Sequence, residues 1–214
     1  MYSQNITIPI CSTALHGILT IPKNAKGVVI FVHGSGSGRL SSRNQYVANI
    51  LNQAGLATLL FDLLSDEEEV IDNISRELRF DIPLLATRLV EVTHWVSQNP
   101  ELLNLKIGYF GASTGAAAAI IASVKMAPSI QAIVSRGGRI DLAANDLALL
   151  SAPTLAIVGS LDNVVLDLNI KALEKMNCEH KLHIVQGATH LFEENNCLQQ
   201  VAIESKNWFL KFLI

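Results

Sequence analysis

The chain of 214 residues is 50% apolar and 16% charged, with 16 Lys and Arg against 19 Asp and Glu for a formal net charge of −3. That balance excludes an intrinsically disordered chain and gives no basic footprint for nucleic acid, while supplying enough apolar material for a sizeable core. The mean hydropathy of +0.33 raises the question of a membrane span, most sharply in the uncharged window from Ile107 to Val124.

The amino terminus, MYSQNITIPI, lacks a basic segment followed by an apolar one, so no secretory signal is expected and a cytoplasmic location is. Ile6 to Ile10 and Ala14 to Ile21 alternate partly with a period of two and are closed by Pro22-Lys23-Asn24, the pattern of an antiparallel hairpin at a sheet edge. Nearly continuous apolar runs follow at Gly27 to Val32, Ala57 to Phe61, Lys106 to Phe110, Ala132 to Ser135, Thr154 to Gly159 and Lys181 to Val185. Between them, helical periods span about Asn44 to Ala54, Asp81 to Ser97, Ser113 to Met126, Asp167 to Met176 and Leu198 to Phe212. Strands covered on both faces need such runs, so the expected fold is α/β: one domain over 1–214, with a mostly parallel central sheet of about seven or eight strands and helices on both faces. Within it the acidic run Ser65 to Glu69 reads as the solvated first turn of a further helix rather than a metal site, because a helix amino terminus favours carboxylates. The uncharged window resolves into a buried strand, a polar turn at Gly111 to Gly115 and a buried alanine-rich helix, so no membrane span is expected. Cys11, Cys178 and Cys197 are odd in number and form no C-x-x-C pair, which fits reduced thiols without a catalytic task.

Chemistry concentrates on the same turn. Gly111-Ala112-Ser113-Thr114-Gly115 matches G-x-S-x-G directly after an apolar strand and directly before a helix, the setting that forces a serine hydroxyl above a sheet. A serine needs a histidine to take its proton and a carboxylate to hold that histidine. Asp162 follows the Thr154 to Gly159 strand and His190 follows the Lys181 to Val185 strand, so both belong to the rim that carries Ser113. Asp141, Asp146 and Asp167 lie near helices instead, and Asp62, though it ends a strand, precedes the nucleophile in the chain. His183, His94, His16 and His180 sit within strands or helices or at the opposite rim. The loop His33-Gly34-Ser35-Gly36-Ser37-Gly38 lacks a phosphate-binding lysine and is placed to offer amides to an oxyanion. The expected donors are Thr114 and Ser35, with Gly34 as the alternative to Ser35. His33, Arg39 and Arg136 are candidate substrate contacts on the same rim, since an arginine can hold a carboxylate bidentately. Arg139 and Arg43 fit surface pairing better, and for Arg136 a structural and a binding role are equally open.

With strand, elbow, acid and histidine in this order, the chain resembles the α/β-hydrolase superfamily over nearly its whole length, and bacterial dienelactone hydrolase-like proteins most. The likeness is carried by HGSGSGR (His33 to Arg39), LLFDLL (Leu59 to Leu64), RFDIPLLA (Arg79 to Ala86), YFGASTGAAAA (Tyr109 to Ala119), SRGGR (Ser135 to Arg139) and GATHLFEE (Gly187 to Glu194). The resemblance implies an α/β-hydrolase fold with Ser113 as nucleophile, Asp162 as the acid and His190 as general base. Relatives of this branch also occur fused to phosphoribosyltransferase domains. Two departures bear on substrate. The name-giving enzymes use cysteine at the elbow where this chain has Ser113, which argues against the dienelactone itself. The short spacings from Ser113 to Asp162 and on to His190 leave no room for a lid domain, which argues against long-chain lipids. The expected activity is hydrolysis of an ester, lactone or related acyl bond of a small soluble, optionally anionic molecule, with no metal or organic cofactor and no nucleic-acid or membrane partner. Acyl transfer to an alcohol, amine or peroxide is the second reading and a non-catalytic ligand-binding module the third. A homodimer is compatible with all three.

Overall fold

The computed structural model describes residues 1–214. Its strands are β1 (Tyr2–Pro9), β2 (Ala14–Ile21), β3 (Gly27–Val32), β4 (Ala57–Phe61), β5 (Lys106–Ala112), β6 (Ile130–Arg136), β7 (Thr154–Gly159) and β8 (His180–Val185). They form one eight-stranded sheet in the order β1-β2-β4-β3-β5-β6-β7-β8. The two pairings made by β2 are antiparallel and every other pairing is parallel, as the alternating opening pair and the later apolar runs require. Helices α1 (Ser42–Gln53), α2 (Asp66–Ser75), α3 (Ile82–Gln98), α4 (Thr114–Lys125), α5 (Asn163–Leu173) and α6 (Cys197–Leu213) connect or follow the parallel strands.

Two cores account for the apolar runs. Val28, Ile30 and Val32 of β3 face a core shared with Leu89 and Val92 of α3 and Ala116 to Ala119 of α4, whereas Val29 and Phe31 face one shared with Val47 and Leu51 of α1 and Val201 and Phe209 of α6. Successive strand residues point to opposite faces, so a strand packed on both sides must be apolar throughout, and all six residues of β3 are buried. Gly108 lets the Phe209 ring lie on the sheet: a Cβ there would stand 2.8 Å from Phe209 Cε1. Burying such a ring contributes roughly 1.5–3 kcal/mol.

Helix starts follow their capping chemistry. Ser65 and Glu68 form a capping box at α2, with Asp66 to Glu69 in the first turn, and the Asp81 side chain accepts from the Leu84 amide at the start of α3. Two boundaries differ from the sequence reading in ways that matter. Helix α5 starts at Asn163, four residues before Asp167, because Val165, Asn169 and Ala172 share one buried face that the β-branched Val164-Val165 pair obscures. Strand β6 runs on to Arg136, so that residue is strand and buried rather than exposed loop. No helix is long and apolar enough to cross a membrane.

Candidate active site

Ser113 is the single residue between β5 and α4. Its backbone sits at φ 49° and ψ −122°, a left-handed conformation that costs a non-glycine residue about 1–3 kcal/mol and persists only where its surroundings enforce it. Here they do. The Ser113 amide donates to Arg136 O at 3.2 Å, and Ser113 O accepts from the Ala116 and Arg139 amides at 3.1 and 2.9 Å. Glycine on either side permits the turn: a Cβ at Gly111 would lie 2.5 Å from Ala116 Cα, and one at Gly115 would collide with the carbonyl oxygens of Val32 and His33.

Asp162 follows the end of β7 and His190 the end of β8, beyond the intervening β6. His190 Nδ1 donates to Asp162 Oδ2 at 2.6 Å, which leaves Nε2 as the basic nitrogen. The pair is partly open, with 38% of the histidine side chain and 14% of the aspartate exposed. Their loops are tied together: Leu161 N donates to Ala188 O at 2.9 Å and Gly187 N to Ser160 Oγ at 2.8 Å. Gly137, in its left-handed conformation, brings the loop after β6 against His190: a Cβ there would stand 3.3 Å from His190 O and 3.4 Å from its Nδ1 and Cε1. The adjacent residue is Arg136, whose carbonyl holds the Ser113 amide. One short segment therefore carries both serine and histidine. Two of the rival acids are occupied elsewhere, Asp62 by Arg39 and Asp141 by Arg139.

The glycine loop meets the elbow closely, for a Cβ on Gly34 would stand 2.9 Å from Ser113 Cβ. Three sequence expectations change here. The Ser35 amide does not point freely into the crevice but donates to Thr114 Oγ1 at 3.0 Å. His33 has no ring nitrogen left for a substrate, because Nδ1 donates to Gly34 O at 2.9 Å and Nε2 accepts from the Leu63 amide at 3.0 Å. Burial pushes its pKa down, so this ring is a neutral strut between the ends of β3 and β4. Arg39 is held by the buried Asp62 through its guanidinium and through its amide at 2.7 Å, and so anchors the loop's far end instead of facing a ligand.

Arg136 is different. It is 7% exposed, and its Nε and Nη1 are buried without any partner. Burial, with Arg43 nearby, lowers its pKa to about 10. Arg43 itself pairs with Glu193 at 2.6 Å and Arg139 with Asp141 at 2.9 Å, as surface arginines do.

Beside the glycine loop opens a cavity of about 260 Å³ lined by Ser35, Gly36, Leu64, Glu69, Arg79 and Leu85 among others. Glu69 and Arg79 escaped the sequence reading, since the acidic segment that carries Glu69 looks like any solvated helix start. Burial and the neighbouring Asp62 and Asp66 raise the Glu69 pKa. Arg79 donates to Asp72 through Nε at 2.5 Å, while Gly36 approaches its Nη1. Helix α2 thus walls one side of this cavity.

Comparison with known proteins agrees with this architecture. The model of the dienelactone hydrolase family matches residues 15–208. The crystal structure of a dienelactone hydrolase from Anabaena variabilis is 50% identical, superimposes with a TM-score of 0.98 and covers 100% of this chain and 99% of its own. Est1E from Butyrivibrio proteoclasticus shares the fold at 16% identity and a TM-score of 0.81, over 97% of this chain and 98% of its own. Two Mycobacterium tuberculosis proteins, provisionally named phosphoribosyl transferases, are 51% identical over 197 residues, which is 92% of this chain but 44% of theirs. The chain therefore spans less than half the length of those curated relatives.

Proposed function

Because the chain belongs to the dienelactone hydrolase family, we propose that it is a serine hydrolase cleaving an ester, lactone or related acyl bond of a small soluble molecule. The observation that carries this reading is the 2.6 Å contact between His190 Nδ1 and Asp162, made against the segment that fixes the strained Ser113. The carboxylate fixes the tautomer, so Nε2 accepts the Ser113 proton as Oγ attacks the acyl carbon. Charge then develops on the former carbonyl oxygen, and the Thr114 amide, among the first of α4 and without an intrahelical carbonyl, is placed to receive it. Collapse of the tetrahedral intermediate expels the alkoxide, which takes the proton from His190. Water repeats the sequence on the acyl-enzyme and releases the acid. The partly exposed histidine supports water as the acceptor.

Arg136 supports a narrower choice of substrate. A buried guanidinium with unpartnered N–H groups is costly unless an anion completes it. We assign it to a carboxylate borne by the substrate. The serine-hydrolase reading is tested by labelling the native protein and Ser113→Ala with a fluorophosphonate probe. Labelling confined to the native chain is expected, and equal labelling of the two would overturn the assignment.

A further inference from the structure

We infer that the Thr114 hydroxyl is itself a donor to the oxyanion and that Ser35 acts through it, an inference that rests on the serine-hydrolase reading and refines its central step. Thr114 is 5% exposed and occupies the first position of α4. Its Oγ1 accepts from the Ser35 amide at 3.0 Å and makes no other hydrogen bond within the protein. A hydroxyl has one proton and two lone pairs, so with Ser35 filling a lone pair the proton still lacks an acceptor.

Other helical threonines show what normally becomes of that proton. Thr93 gives it to Leu89 O at 2.7 Å and Thr87 to Pro83 O at 2.9 Å, each one turn back in its own helix. For Thr114 the residue four positions back is Phe110, which belongs to β5, and no such bond forms. The hydroxyl is thus buried, polarised by an incoming amide and unspent, on the residue whose own N–H faces the developing charge. Accepting one hydrogen bond strengthens a hydroxyl as donor. The oxyanion would then receive N–H and O–H from Thr114, with the Ser35 amide behind the second. No proton is transferred in this step, since the O–H bond of Thr114 remains intact and only its direction matters.

The test compares Thr114→Val, close in shape but without a hydroxyl, with Thr114→Ser, which keeps it. Turnover of p-nitrophenyl acetate, the rate of fluorophosphonate labelling and the melting temperature are measured for each. Loss of one oxyanion donor predicts about a 100-fold fall in kcat for the valine variant, with KM within about threefold. The labelling rate should fall in parallel, because the phosphonyl oxygen occupies the same position. The serine variant should recover kcat to within about tenfold of the native enzyme, its extra rotamer freedom accounting for the remainder. Thr114→Ala gives the same readout if the valine variant does not fold. Native-like kcat in the valine or alanine variant, a serine variant as impaired as valine, or an effect confined to KM would overturn the inference while leaving the hydrolase reading intact. Failure of the native protein to label would overturn both.

Discussion

Arg136 is a buried and His33 a partly buried polar side chain on the rim, and their surroundings give them different consequences. The Arg136 guanidinium has no protein partner for Nε or Nη1. Replacing it by methionine removes a desolvated charge, so the melting temperature of Arg136→Met should stay level or rise. If the missing partner is a substrate carboxylate, KM for a carboxylated ester should increase at least about tenfold, the loss of roughly 1.4 kcal/mol, while a neutral ester of similar size is unaffected. A fall in melting temperature with equal losses on both esters would make the residue a structural strut. His33 has both ring nitrogens paired, and burial lowers its pKa too. Its folded pKa lies below the ordinary 6.5, so between those two values the unfolded chain binds a proton that the folded chain refuses. Stability should therefore be fully present above pH 6.5 and fall as the pH drops below it. Urea unfolding from pH 7.5 to about 5.5 checks this, with His33→Asn expected to flatten the dependence. The placing of Ser113, Asp162 and His190 on one rim was legible in the sequence because each lies in the turn or loop that follows an apolar run. The tasks of His33 and Arg39 were not, since the Leu63 amide and Asp62 that occupy them come from the end of β4, which no linear spacing places beside β3.

Among the elements, the crossing of α4 over β3 and β5 decides whether the elbow forms. Ala116 to Ala119 are all fully buried, and Gly115 lies directly on the carbonyls of Val32 and His33. A methyl group there meets rigid backbone rather than a flexible side chain, so the strain cannot be relieved by a rotamer change. Gly115→Ala should destabilise by about 3 kcal/mol, the upper range for overpacking, measured as a shift of the urea midpoint. A change below about 0.5 kcal/mol, the ordinary surface level, would mean that the helix can lift off the sheet. Strands were more legible than helix starts, and the reason is physical. A strand buried on both faces announces itself by composition, whereas the start of α5 is set by tertiary packing of Val165 and Asn169 that overrides the β-branched character of its first turn.

At the scale of the molecule, the alternation of apolar runs and helical periods was enough to give a parallel sheet with two covered faces, but not the strand order. That order comes from register between segments far apart in sequence, such as Val28 with Ile107 and Ala57. The family match over residues 15–208 and the TM-score of 0.98 to the Anabaena enzyme place this chain in one lineage. The partial cover of the Mycobacterium proteins shows that a unit of this kind also occurs within longer chains. In the sheet β6 and β7 stand between β5 and β8. Ser113 and His190 ride on strands three places apart, so at about 4.8 Å per place the loop after β8 reaches back roughly 14 Å. Each intervening place also adds a twist of about 20–25°. The alignment of serine and histidine is thus a sum of inter-strand rotations, and side chains packed beneath β6 and β7, remote from any substrate, act as the lever that sets it.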